Sequence, residues 1–151
     1  MTLSVCMTTK RIVAICSALA IIFTCWYFVA RKGRFSRIDT ASFNEINAEV
    51  LKLNIDRGKV DFSRLSTQRR DLAKQLGVHE ILVDNTRDKY VDYWIGSTGV
   101  LSVSATYYYV RYSEHECSPL VDDVIVARKN GDPRPLLFQK LSRNWYLMST
   151  P

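Results

Sequence analysis

The sequence predicts an α+β protein: an N-terminal transmembrane helix followed by a two-helix plus antiparallel-sheet domain. Three observations predict it. Residues 12–30 form an uncharged apolar run. Residues 39–76 repeat apolar side chains at helical spacing. Residues 79–149 are rich in β-branched and aromatic side chains interrupted by turn residues. A chain of 151 residues has room for one small domain and an anchor, and none for a large multi-domain enzyme. A composition of 47% apolar and 24% charged residues excludes a disordered chain, and four cysteines exclude a disulfide-dense scaffold. The expected organisation is a short tail over 1–11, a span over 12–30, a basic juxtamembrane linker over 31–38 and the domain over 39–151.

The span reads IVAICSALAIIFTCWYFVA, 19 residues without a charge. As a helix it is about 28 Å long at 1.5 Å per residue, close to the hydrocarbon core of ~30 Å. Ile12, Ile15, Leu19 and Ile22 are among nine Ile, Leu, Val or Phe residues in it. Together these nine favour insertion by about 3–5 kcal/mol. Trp26, with Tyr27, lies near the end that closes at Ala30, where amphipathic rings prefer the headgroups. A buried core helix is the competing reading, and a small domain cannot surround a helix apolar on every face. A cleaved signal peptide is disfavoured too, because Phe28-Val29-Ala30 puts bulk where a cleavage site needs a small residue.

Net charge is +6, and its source is local. Lys10, Arg11, Arg31, Lys32, Arg34 and Arg37 flank the span and can meet lipid headgroups. The rest of the chain carries 15 basic and 15 acidic residues. The high pI therefore gives no basic face for nucleic acid. The lipid bilayer is the first expected partner. Flank charges, 3 against 4 with the amino terminus counted, lean weakly toward a cytoplasmic domain, whereas a short leading tail ending in Lys10-Arg11 looks like a signal-anchor, so charge leaves the orientation open.

In the domain, a first helix is expected from Asp39, with Asp39, Thr40 or Ser42 as cap and Ser42–Glu45 as a capping box. Phe43, Ile46, Val50 and Leu53 share one face of it, and Arg57-Gly58 ends it. A second helix is expected over 61–76, with Phe62, Leu65, Leu72 and Leu76 inward and Gly77 as its C′ residue. Strands follow over 79–85, 90–95 and 100–112, with a turn over 96–99 between the last two. In the last strand Leu101, Val103, Ala105, Tyr107 and Tyr109 share one face. Residues 120–128 fit a short strand or a helical turn. Residues 136–141 and 145–148 form a closing hairpin. Four to six strands with both helices on one face complete the domain.

Chemistry-bearing residues are few. Cys117 is the domain's one cysteine, two residues from His115 in Glu114-His115-Glu116-Cys117. A nucleophilic cysteine needs a base to deprotonate it, and a metal would need His115, Cys117 and a carboxylate together. No second anchoring motif accompanies either, so a solvated loop with a free thiol is the expectation. No catalytic residue, metal or cofactor is expected. Asp122-Asp123 suits capping, and Arg69-Arg70 suits a solvated helix face. Trp94, Tyr108 and Tyr112 are candidate partner-binding residues, since aromatic side chains anchor protein interfaces. The same residue types also simply suit strands.

Residues 78–149 carry Gly96–Gly99, Tyr107–Tyr109, Pro119-Leu120-Val121-Asp122-Asp123 and Asn144-Trp145-Tyr146-Leu147. This arrangement resembles small, uncharacterised bacterial membrane-anchored envelope proteins. Tyr108-Tyr109 depart from that pattern, which has glycine followed by an aromatic. The resemblance implies an inner-membrane protein with its domain outside the cytoplasm, and no catalytic residues. Function is accordingly expected to be a single-pass, non-enzymatic protein-binding module, immunity- or inhibitor-like. The alternatives are an accessory subunit packing Ala14, Ser17, Ala18 and Ala20 against a larger membrane complex, and an enzyme using Cys117 with His115 or His79.

Overall fold

The computed structural model describes residues 38–98 and 105–151, together with Ser17 and Leu19. The chain forms two compact units, Met1–Ile38 and Asp39–Pro151. In the first, Ser17 and Leu19 are helical and exposed, Leu19 at 60%. Ile12, Ile15, Ile22, Trp26 and Ala30 lie outside the described residues, as do the flanking cations Lys10, Arg11, Arg31, Lys32, Arg34 and Arg37. Among the described residues no helix is long and apolar enough to cross a membrane.

Helix α1 spans Thr40–Val50. Of the three cap candidates Asp39 serves: its Oδ1 accepts the N–H groups of Ala41 and Ser42 at 3.0 and 3.4 Å. Ser42 Oγ donates to the same carboxylate at 2.6 Å, and Glu45 pairs with Arg69 instead of closing a capping box. Phe43, Ile46, Asn47 and Val50 are buried, the stripe expected of a helix lying on a core. A 3₁₀ turn, Leu51–Leu53, follows, and Asn54 at φ +47° ends it. Where a helix end was expected, the chain makes a short exposed edge strand, β1, Arg57–Lys59.

The second helical run is split. A 3₁₀ turn covers Phe62–Arg64, capped by Asp61, and helix α2 covers only Thr67–Gln75. Ser66 between them is extended, and the Glu49 carboxylate of α1 takes both its N–H and its hydroxyl. Two short helices, the first capped by Asp61 and the second starting after Ser66, thus stand where periodicity suggests one. Gly77 is the C′ residue, as expected: its N–H reaches Lys74 O, and Val78 N–H reaches Ala73 O.

The remaining elements are β2 (Glu80–Asp84), β3 (Tyr90–Thr98), β4 (Thr106–Ser113), α3 (Val124–Lys129), β5 (Leu137–Ser142) and β6 (Trp145–Thr150). Asp123 caps α3 through the N–H groups of Ile125 and Val126, which resolves the ambiguous segment as a helix. The six strands form one antiparallel sheet in the order β1-β2-β3-β4-β6-β5. Strand β3 runs on through Gly96, Ser97 and Thr98, where a turn was expected, after an irregularity between Trp94 and Gly96.

Helices α1 and α3 lie on one face of this sheet. The Phe43 ring stands 5.3 Å from Tyr93 and 5.8 Å from Trp145. Tyr93 Oη donates to Asn47 Oδ1 at 2.9 Å, and Trp145 Nε1 donates to Asn44 Oδ1 at 2.8 Å. At the far end, Gln139 and Ser149 on this face bond Val124 N–H and the Arg128 guanidinium of α3. Arg128 also reaches the carbonyls of Asp132, Arg134, Pro135 and Ser149, tying the turn after α3 to β6.

Tyr107 and Tyr109 share one face of β4, as the alternation predicts, and it is the face away from the helices. Tyr108 at 2% and Val110 at 0% exposure face the helices, whereas Tyr107 and Tyr109 face away. Leu101 and Val103, which set the expected phase, lie outside the described residues. The observed phase is imposed by pairing: Val110 sits between Tyr93 and Leu147, both buried in the helix-side core. A one-residue slip would turn every side chain over.

Candidate functional site

Strand alternation gives the sheet a second face, on which no helix packs among the described residues. Successive rows across it are set by register. One runs Glu80, Trp94, Tyr109, Met148, Phe138, and the next runs Leu82, Asp92, Arg111, Tyr146, Lys140. The loop after β4 covers one end of this face. Cys117, 8% exposed, packs there on Phe138, Tyr146 and Met148, with Tyr109 against the cluster. Ion pairs Lys89–Glu114 (3.8 Å) and Lys140–Glu116 (3.5 Å) flank it. Val121 N–H donates to Phe138 O, and Phe138 N–H to Pro119 O, sealing the β5 edge.

In the middle of the face lies a buried ion pair. Arg111 Nε and Nη2 each donate to one oxygen of Asp92 at 2.7 Å. The Arg111 guanidinium carbon sits 3.9 Å from the Tyr90 ring centroid and 5.5 Å from that of Phe138. Burial pushes the Asp92 carboxyl up from the ordinary carboxylate range, against the pull of Arg111.

Among the described residues, the β2–β3–β4 end of the face is partly exposed. Tyr107 is 37% exposed, and Trp94 and Tyr109 are half-buried. The rings of Trp94 and Tyr107 are 6.4 Å apart, and His79 lies 5.1 Å from Trp94 on its other flank. Trp94 Nε1 already donates to Gly96 O at 3.0 Å, so the indole offers its π face. Glu80 stands beside Trp94 and pairs at 3.0 Å with Lys59, itself 61% exposed. The Tyr109 phenol is pushed up by burial and then by the nearby Asp92 and Glu80 carboxylates.

Of the three partner-binding candidates, only Trp94 belongs to this surface. Tyr108 is buried on the helix side, and Tyr112 packs edge-to-face on Trp145 at 5.3 Å on that same side. Tyr107 and Tyr109 stand on this face instead. The phase of β4, which the sequence pattern does not reveal, decides the exchange. The structure does not bring the Cys117 thiol and the His115 imidazole together as acid and base. Cys117 Sγ lies 4.0 Å from the backbone oxygen of His115, the His115 residue is exposed, and burial pushes the thiol up. A thiol so placed is a poor nucleophile. Among the described residues no three His, Cys, Asp or Glu side chains are grouped to hold a metal ion.

Arg69 and Arg70 are not a freely solvated pair. Arg69 bonds Glu45, and Arg70 Nη2 donates to Leu65 O at 3.2 Å. The groove of about 310 Å³ beside them is lined by Glu45, Gln68, Arg69, Asp71, Leu72 and Gln75. Its central charges satisfy each other, so it offers no chemistry comparable to the aromatic face.

Among the described residues, the fold and site define a small α+β domain with helices on one sheet face and a partly exposed aromatic surface on the other. Compared with family models, characterised proteins and solved structures, the chain matches none.

Proposed function

We propose that this chain is a single-pass, membrane-anchored protein-binding module without catalysis of its own. Its domain presents Trp94, Tyr107 and Tyr109 to a protein partner. The observation that carries this reading is the partly exposed aromatic end of the sheet face. Partly exposed rings clustered at the centre of a surface are the usual energetic anchors of protein interfaces. The uncharged run over 12–30 and its basic flanks support a bilayer tether; the bacterial inner membrane and an extracytoplasmic side for the domain rest on the resemblance of residues 78–149 alone. A tether holds the domain at the membrane surface, which raises its local concentration toward a membrane-delivered partner. Blocking such a partner is the immunity- or inhibitor-like form of the role.

Photo-crosslinking in membranes tests this. A photoreactive residue in the full chain replaces Tyr107 or, as a control on the groove beside α2, Gln68. The expected result is a discrete protein adduct from position 107 only. Adducts from neither position, or the same adducts from both, would overturn the reading. The anchor is tested separately by a carbonate wash, in which the intact chain should stay with the membrane pellet.

A further inference from the structure

We infer that the partly exposed aromatic end of the sheet face takes a guanidinium side chain from an arginine-bearing segment of its partner; this rests on the reading of that face as the partner-binding surface. The neighbouring row shows the chemistry performed internally. There the Asp92 carboxylate grips Arg111 through two 2.7 Å bonds, and Tyr90 lies over the guanidinium at 3.9 Å. The row beside it repeats the carboxylate and the rings, with an exposed ammonium, that of Lys59, in place of a buried guanidinium. Glu80 supplies a carboxylate, Trp94 stands next to it in register with Tyr109 beyond it on β4, and Tyr107 adds a ring 6.4 Å from Trp94.

Charge complementarity selects the occupant. The π faces and the Glu80 carboxylate are all negative or electron-rich, and the Trp94 N–H is already spent on Gly96 O. An incoming acidic group would find carboxylates beside it, as the Tyr109 phenol does with Asp92 and Glu80. Lys59 holds Glu80 now, yet its side chain is 61% exposed, and a pair so exposed is weak and easily exchanged. A guanidinium fits better than an ammonium, because it stacks flat on rings while its fork meets a carboxylate.

The test uses the full chain in neutral detergent micelles and the capped peptide Gly-Arg-Gly-Arg-Gly. The control peptide carries citrulline, the uncharged isostere, at both arginines. NMR of the indole N–H groups reads the site at Trp94 and the fold at Trp145. The arginine peptide should shift the Trp94 signal saturably, and the citrulline peptide should bind about tenfold more weakly or worse. Glu80→Gln should weaken the arginine peptide about threefold or more, with the Trp145 signal unmoved. Tyr107→Ala, at an exposed position, gives a second variant with the same expectation. Equal binding of both peptides, or no Trp94 shift up to roughly 10 mM, overturns the inference. If position 107 crosslinks a partner but arginine is not preferred, the cation site is wrong and the interaction surface survives. If position 107 crosslinks nothing, the surface itself is wrong.

Discussion

Replacing Arg111 by Met should uncover the cost of the buried charge in the middle of the second sheet face. Met keeps the apolar stem and removes the guanidinium. Asp92, with a side chain only 6% exposed, is then left unpaired. The carboxyl can stay ionised in the interior, which costs several kcal/mol, or take a proton. Taking a proton at pH 7, from an ordinary value of 3.8, costs about 4.4 kcal/mol at 1.4 kcal/mol per pH unit. That caps the charge contribution. Losing the Arg111–Tyr90 stack adds about 0.5–1 kcal/mol. The expected loss is therefore about 4–5 kcal/mol at pH 7, a large fraction of a typical 5–15 kcal/mol. Its sign with pH is set by linkage. In the variant the folded-state carboxyl titrates far above 3.8, so stability is present below 3.8 and lost as pH rises through the folded value. The deficit should shrink to about 1 kcal/mol near pH 4. Urea unfolding of the full chain in micelles, followed by Trp145 fluorescence at several pH values, measures it. The double variant Asp92→Leu with Arg111→Met should stay within about 1 kcal/mol of the parent, because both charges leave together. A single-variant loss that is the same at pH 4 and pH 7, or a double variant as unstable as the single one, would refute the reasoning.

The Tyr93 phenol is pushed well above 10.0 by burial and donates to Asn47. The folded chain keeps this proton after the unfolded chain loses it, so stability falls as pH rises past about 10, by up to 1.4 kcal/mol per unit. Tyr93→Phe should cost about 1–3 kcal/mol at pH 7 by stranding Asn47, and should flatten the alkaline fall in thermal melts; a steeper fall would contradict this. Cys117, its thiol raised from 9.0 by burial, should react with iodoacetamide at neutral pH about tenfold or more slowly in the native chain than in urea, by peptide mapping; rapid native labelling would count against it. Arg128→Ala removes every guanidinium bond that ties residues 130–136 to β6 and should destabilise by about 2–4 kcal/mol. Hydrogen exchange should rise across 130–136, and Arg128→Lys should recover less than half of the loss, since an ammonium lacks the planar fork.

Local signals made much of the fold legible. Asp39 and Asp123 cap helices because a short carboxylate just before a helix reaches free N–H groups. Gly77 ends α2 because a left-handed φ of +72° suits glycine. The closing hairpin over β5 and β6 and the stripe Phe43, Ile46, Val50 follow from periodicity alone. What failed depended on partners distant in sequence. The split of the second helix depends on Glu49, 17 residues before the Ser66 it holds. Strand β1 is three exposed residues that exist only by pairing with β2. Arg128 carries no local sequence signal, and folding brings five acceptors around it.

The surface proposed to bind was half legible in the same way. Trp94 stands out by residue type, yet choosing between Tyr107, Tyr108 and Tyr109 requires the phase of β4. Chain order alone established an α+β domain behind a long uncharged stretch with basic flanks, because composition, capping and periodicity act between near neighbours. Only the tertiary structure decided which tyrosines face outward and that Asp92 meets Arg111. Both depend on cross-strand register, which is a contest between whole faces seeking burial, not a property of any short segment.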